Sequence, residues 1–162
     1  MEKNWSEVQT KVEASVETWL RRRLSLKGRA EACAQYVFPL ILYRLSVLPL
    51  SAARMLVLER LLFSLLWKKG KPMVRREVCI QRTCNGGLGM PHMASHKNAE
   101  RLAFLNRTLM EGQVWEGSVR EAFPDLDLDP DAERRRRPRG ETPFLKECRK
   151  ALRRLPRSID LS

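Results

Sequence analysis

Cys79, Cys84, His92 and His96 are residue types that suit a zinc site, and the two histidines stand one helical turn apart. The span from Cys84 to His92 is too short for a zinc-finger helix and is filled by a glycine-rich loop. The spacing therefore predicts a buried Cys79, an incidental Cys84 and histidines at the start of a helix, with no metal and no cofactor. A polymerase needs paired carboxylates to hold its metal ions. The only dense set is Asp125, Asp127, Asp129 and Asp131, in a stretch with no strand or turn to fix it. That pattern reads as a solvated acidic spacer. N-G-G-L-G-M at Asn85–Met90 lacks the Lys and Ser/Thr of a phosphate-cradling loop. Its glycines predict a chain reversal with Leu88 in the core. No Ser/His/Asp set has usable spacing, so no catalytic residues are expected and the chain reads as a non-enzyme.

The cations carry more information. Arg21, Arg22, Arg23, Lys27 and Arg29 bracket the joint between the first two predicted helices. Lys68, Lys69, Lys71, Arg75 and Arg76 follow the third. Neither run contains an acidic residue, unlike a balanced solubility face. Cations clustered at helix ends are the footprint of phosphate contact without base reading. Arg134–Arg137 could add loose contacts or serve as a nuclear-import patch. Trp5, Trp19, Trp67 and Trp115 read as core; Trp67, beside the second basic run, is the one that could also touch nucleic acid.

The whole chain supports this emphasis. Its 162 residues suit one domain with an appended tail. A net charge of +12 and a pI of about 10.2 favour phosphate, acidic protein or anionic lipid as partners. Residues 1–112 carry 19 Lys and Arg against 9 Asp and Glu, while residues 113–162 carry 12 against 10. The excess charge thus lies in the first part. The longest apolar run, Tyr36–Tyr43, is far short of the roughly 18 residues of a membrane span, so no membrane is expected. The four cysteines are scattered and no secretory signal precedes them, so reduced thiols in a cytoplasmic or nuclear setting are expected.

The elements that must position the cations read as mainly α. The expected fold is a small helical bundle with a Gly-rich loop and a flexible C-terminal tail. Asn4 and Glu7 make a capping pair for a first helix with Val8, Val12, Val16, Trp19 and Leu20 on one side. Ser25 caps a second helix with Leu26, Ala30, Cys33, Val37 and Leu40 on its buried side, kinked or ended at Pro39. Ser51 caps a third, buried on several sides, which Gly70 and Pro72 stop. Residues 73–82 read as an extended segment or single turn. A fourth helix is expected over Met93–Met110, with Ala99, Leu102, Ala103 and Leu109 inward. These make a helical domain over residues 4–112. Residues 113–141 read as a weak helix and a disordered linker, flexible from Pro124 to Gly140. Residues 142–156 form a short last helix started by Thr142 and Pro143.

Trp19, Ser25–Gly28–Arg29, Tyr36–Pro49, Leu65–Trp67, Lys68–Arg76 and Gly86–Pro91 follow one another in a telling order. Together they resemble the segment directly after the palm in non-LTR (LINE-type) retrotransposon reverse transcriptases, over residues 10–110. The resemblance implies the thumb of an RNA-directed DNA polymerase and the region just beyond it, which pack along the primer–template duplex. The family's aromatic-x-Asp-Asp turn, fingers, endonuclease and cysteine–histidine knuckle have no counterpart here. The resemblance therefore implies a remnant, fragment or separate exon of such an element, without polymerase activity. Its partners would be RNA or DNA duplex backbone, bound without regard to sequence, and the palm and fingers of a reverse transcriptase. The alternative is a basic helical protein-interaction domain with no nucleic-acid function.

Overall fold

The computed structural model describes residues 2–110, 114, 116–123 and 142–155. The described residues are mainly helical and contain no strand. They divide into two compact units, Met1–His96 and Lys97–Ser162. The division falls inside the 4–112 segment expected to be one domain.

In the first unit, α1 (Glu2–Leu20) buries Trp5, Val8, Val12 and Val16 at spacings of one helical turn. Asn4 does not cap it, because the helix already begins at Glu2. The first turn is fixed instead by tertiary contact: Trp5 is buried and its indole Nε1 donates to Pro49 O at 2.9 Å.

Ser25 caps α2 (Leu26–Ala32), its Oγ accepting from Gly28 N at 3.1 Å. Pro39 does not end the helix. A π-helical turn, Cys33–Val37, joins α2 to α3 (Phe38–Val47). Pro39 has no N–H to give the carbonyl four residues back, and its ring crowds that carbonyl. The wider turn accommodates both, and Phe38 N–H bonds Cys33 O five residues back. The inserted turn also re-phases the helix. Val37, Phe38, Ile41 and Leu45 are buried, while Leu40, expected inward, is exposed.

Ser51 caps α4 (Ala52–Leu66) through Arg54 N. Leu58, Leu62, Phe63, Leu65 and Leu66 are buried, but Leu56 and Val57 at its start are exposed. Burial on several sides is thus confined to the second half. α1 packs on α3 and α4, with α2 and the π turn also against α4, and the core lies between them. The basic stretch then leads to one short helix, α5 (Arg76–Ile80), with Cys79 buried, and a 3-10 turn, Thr83–Asn85. Gly86 has φ 78°, and a Cβ on Gly87 would lie 2.0 Å from Gln81 O, so the loop needs glycine at both. Leu88 packs against the core.

α6 (Met93–Met110) begins in the first unit, and the rest of it belongs to the second. The second unit adds α7 (Glu116–Ala122) and α8 (Pro143–Leu152), the latter capped by Thr142 Oγ1 accepting from Leu145 N. Its core holds Leu105, Val119, Phe123 and Cys148. The inward face of α6 matches the expected one only in part: Leu109 packs on this core. Ala99 and Ala103 are exposed, whereas Arg101, Leu105 and Thr108 are buried. Arg101 is inside because Glu147 of α8 meets it, at 3.1 Å from Nε and 2.9 Å from Nη2. Its guanidinium lies 4.2 Å from the Phe144 ring centroid. A cation that brings its own counter-charge can join a core that hydropathy would deny it. Residues 124–141, which include the acidic stretch, Arg134–Arg137 and the expected flexible segment, lie outside the described residues.

Candidate nucleic-acid interface

Two helix ends build the site. α1 stops at Leu20, and Arg21, Arg22 and Arg23 follow it exposed, ahead of the Ser25 cap. α4 stops at Leu66 and the chain reverses through Lys68 and Lys69, with φ of 50° and 61°. Both lie in the left-handed region, which costs a side-chain-bearing residue about 1–2 kcal/mol. Gly70, expected to be the helix stop, has no positive φ. The turn is held by main-chain bonds from Lys69 N to Ser64 O at 2.8 Å and from Gly70 N to Trp67 O at 2.9 Å. These satisfy carbonyls that the helix end leaves open.

Two side chains bring the helix ends to one edge. Arg29 donates from Nε to Leu66 O at 2.8 Å and from Nη1 to Leu24 O at 3.1 Å. One guanidinium thus ties the α1–α2 joint to the end of α4. Lys69 Nζ pairs with Glu17 Oε1 in the last turn of α1. The basic runs at residues 21–29 and 68–71 therefore share one edge of the first unit, although some forty residues separate them in the chain.

The expected site residues do not all serve alike. Arg21, Arg22, Arg23, Lys27, Lys68, Lys71 and Arg75 are exposed. Lys69 is exposed too, and its ion pair is solvated on both sides, with side chains 60% and 53% accessible. Such a pair is worth little and yields readily to a phosphate. Arg76 leans onto α4, 3.8 Å from Glu59 and with its guanidinium 4.8 Å from the Phe63 ring centroid. Arg29 is half-buried and bonded to main-chain carbonyls, so its role is to join helices rather than to meet phosphate.

The aromatics with accessible surface beside this edge are Trp19 and Tyr36. Trp67 is buried in the core. Trp19 is half-buried, with the Arg22 guanidinium 4.4 Å from its ring centroid and the Tyr36 ring at 4.8 Å. Tyr36 is 56% exposed. Its position follows from the π turn, and Pro39 three residues on was the signal in the sequence that the helix would be re-phased there.

The other candidate chemistry dissolves into structure. Cys79 is buried and Cys84 exposed. His92 Nδ1 meets Ser95 Oγ at 2.6 Å, and the His96 ring lies 4.7 Å from that of Phe38. Among the described residues no group of three or more His, Cys, Asp or Glu is placed to hold a metal ion. Burial pushes the Cys33 thiol up to about 12 and also raises that of Cys79, so both are neutral and unreactive. N-G-G-L-G-M turns its main chain inward: Gly89 N bonds Gln81 O and Met90 N bonds Cys79 O. Among the described residues no helix is long and apolar enough to cross a membrane.

No family model, curated protein or solved structure matches this chain.

Proposed function

We propose that this chain is a non-catalytic nucleic-acid grip that corresponds to the thumb-like part of a LINE-type reverse transcriptase. It binds the backbone of RNA–DNA or other duplexes through phosphate contacts, indifferent to base sequence. The observation that carries this reading is the convergence of the two basic runs on one edge, where Arg29 ties the α1–α2 joint to the end of α4 and Lys69 lies beside Glu17 of α1. Counter-ion release from such an edge supplies affinity without sequence information. The family resemblance supports the reading through the parts played by its motifs. Ser25 is a helix cap, Trp67 closes α4 into the core, and Gly86 and Gly87 shape the loop.

The test is duplex binding followed against salt. Changing Lys68, Lys69 and Lys71 together to Gln weakens binding to an RNA–DNA hybrid and to unrelated duplexes by similar factors. The slope of log affinity on log salt becomes shallower by about 0.9 for each phosphate that the variant no longer neutralises. Unchanged affinity and slope in a folded variant would refute the grip. No DNA synthesis is expected on a primed RNA template with magnesium. A second reading, a protein-interaction domain, is favoured by the exposed Tyr43 and Val47 on α3 and by Met73. It predicts binding to an acidic or apolar partner and no steep salt dependence with duplex.

A further inference from the structure

Tyr36 is an exposed aromatic of the first unit that lies against a second ring, that of Trp19. A large aromatic ring more than half in water is not there to fill the core. It lies against Trp19, and Trp19 also carries the Arg22 guanidinium, so the three form a continuous group at the end of α1. Glu17, two residues before Trp19, is the partner of Lys69. The aromatic group and the left-handed lysine turn are therefore attached to the same last turn of α1. The π turn Cys33–Val37 carries Tyr36 outward while Cys33 and Val37 stay buried on either side of it. A flat π surface backed by a second ring that itself carries a guanidinium matches the face of a nucleobase. A base inside a duplex is already stacked on its neighbours, so the ligand must be an unpaired one.

We propose that Tyr36, backed by Trp19 and Arg22, stacks an unpaired nucleobase of single-stranded nucleic acid running off the duplex held at the basic edge. The proposal rests on the duplex-gripping reading and adds what that edge recognises: a junction between duplex and single strand. Trp19 and Arg22 position the ring, and Tyr36 supplies the accessible face. Stacking tolerates every base, so no sequence preference follows.

The experiment compares three DNA ligands on the native chain. One is a blunt duplex. The second is the same duplex with a short unpaired overhang. The third has that overhang made of abasic sugars, which keeps the phosphates and removes the bases. The base-bearing overhang binds about 5- to 150-fold more tightly than the abasic one, the range that one stacked base spans. A 2-aminopurine placed in the overhang loses fluorescence on binding. Tyr36→Ala abolishes the difference between the two overhangs and leaves blunt-duplex affinity and its salt slope as they were. Tyr36→Phe keeps the difference. Equal binding of base-bearing and abasic overhangs by the native chain would overturn the proposal, as would a difference that survives Tyr36→Ala. The duplex grip fails separately, through absence of salt-dependent binding to the blunt duplex. In that event a single-stranded oligonucleotide and its abasic counterpart test Tyr36 on their own, by the same difference and the same two variants.

Discussion

Lys68→Gly should make the protein more stable and a weaker duplex binder. Lys68 holds φ at 50°, where a Cβ costs about 1–2 kcal/mol. Glycine removes that cost but gives the unfolded chain more freedom, an offset of roughly 0.5–1 kcal/mol. At the middle of the two ranges the net gain is about 0.75 kcal/mol. The unit that contains Lys68, Met1–His96, falls in the size range where each kcal/mol moves the melting temperature by about 4–8 °C. Thermal unfolding followed by circular dichroism should therefore shift upward by about 3–6 °C. Lys68→Ala is the control, since it deletes the same charge and keeps the strained backbone. It should melt near the native temperature. Both variants should neutralise one phosphate fewer, making the salt slope of duplex binding shallower by about 0.9. A Lys68→Gly variant no more stable than Lys68→Ala would refute the strain. Both variants binding like the native chain would remove Lys68 from the interface.

Arg29→Lys should destabilise the first unit by about 1–2 kcal/mol in urea, because an ammonium cannot bridge Leu66 O and Leu24 O as the planar guanidinium does. Its salt slope should stay native, which separates a joining role from phosphate contact. Glu147→Ala takes away the carboxylate that faces fully buried Arg101 and should cost about 3–5 kcal/mol, while Arg101→Met with Glu147→Leu recovers most of it; a cost below roughly 0.5 kcal/mol would show the pair to be incidental. Cys33 is neutral in the fold up to about pH 12, whereas in the unfolded chain it ionises near 9.0. The folded state then holds the extra proton, so stability is unaffected below that range and falls as pH rises through it, by about 1.4 kcal/mol per unit. Urea midpoints measured across alkaline pH should show a shallower decline in Cys33→Ala, and an identical decline would contradict the buried thiol.

Much of the helical frame was legible because its signals are local. Ser25, Ser51 and Thr142 each cap the helix that their position announces, and Gly86 and Gly87 shape the loop for reasons of backbone geometry alone. Side-chain facing was legible only where the period is regular. Pro39 shifts the phase of α3, so Leu40 faces water in a way that an unbroken 3.6-residue pattern does not foresee. On α6, Arg101 is inside because Glu147 comes from a distant helix, a long-range pairing that no window of sequence displays. The cations themselves were legible as clusters. Their sorting was not: Arg29 is set apart from exposed Lys27 by carbonyls of Leu66 and Leu24 that only the folded chain brings within its reach.

Two departures from regular backbone lie beside the last turn of α1, and they do not weigh equally as signs of function. The π turn at Cys33–Val37 has a local cause in Pro39, which lacks an N–H and crowds the preceding turn. The left-handed pair Lys68–Lys69 has none. Glycines at both positions would make the same reversal without strain. The chain does carry a glycine, Gly70, one step too late to serve. Strain of this kind persists where the surroundings enforce it, and it gathers at functional surfaces. Here the enforcing contacts are the main-chain bond from Lys69 to Ser64 and the packing of Trp67 beneath. They leave two ammonium groups exposed on the edge that also carries Arg21, Arg22, Arg23 and Lys27. The strained lysines are thus stronger support for a phosphate-facing role than the count of charges, because a turn serving only to end α4 would be better made without them.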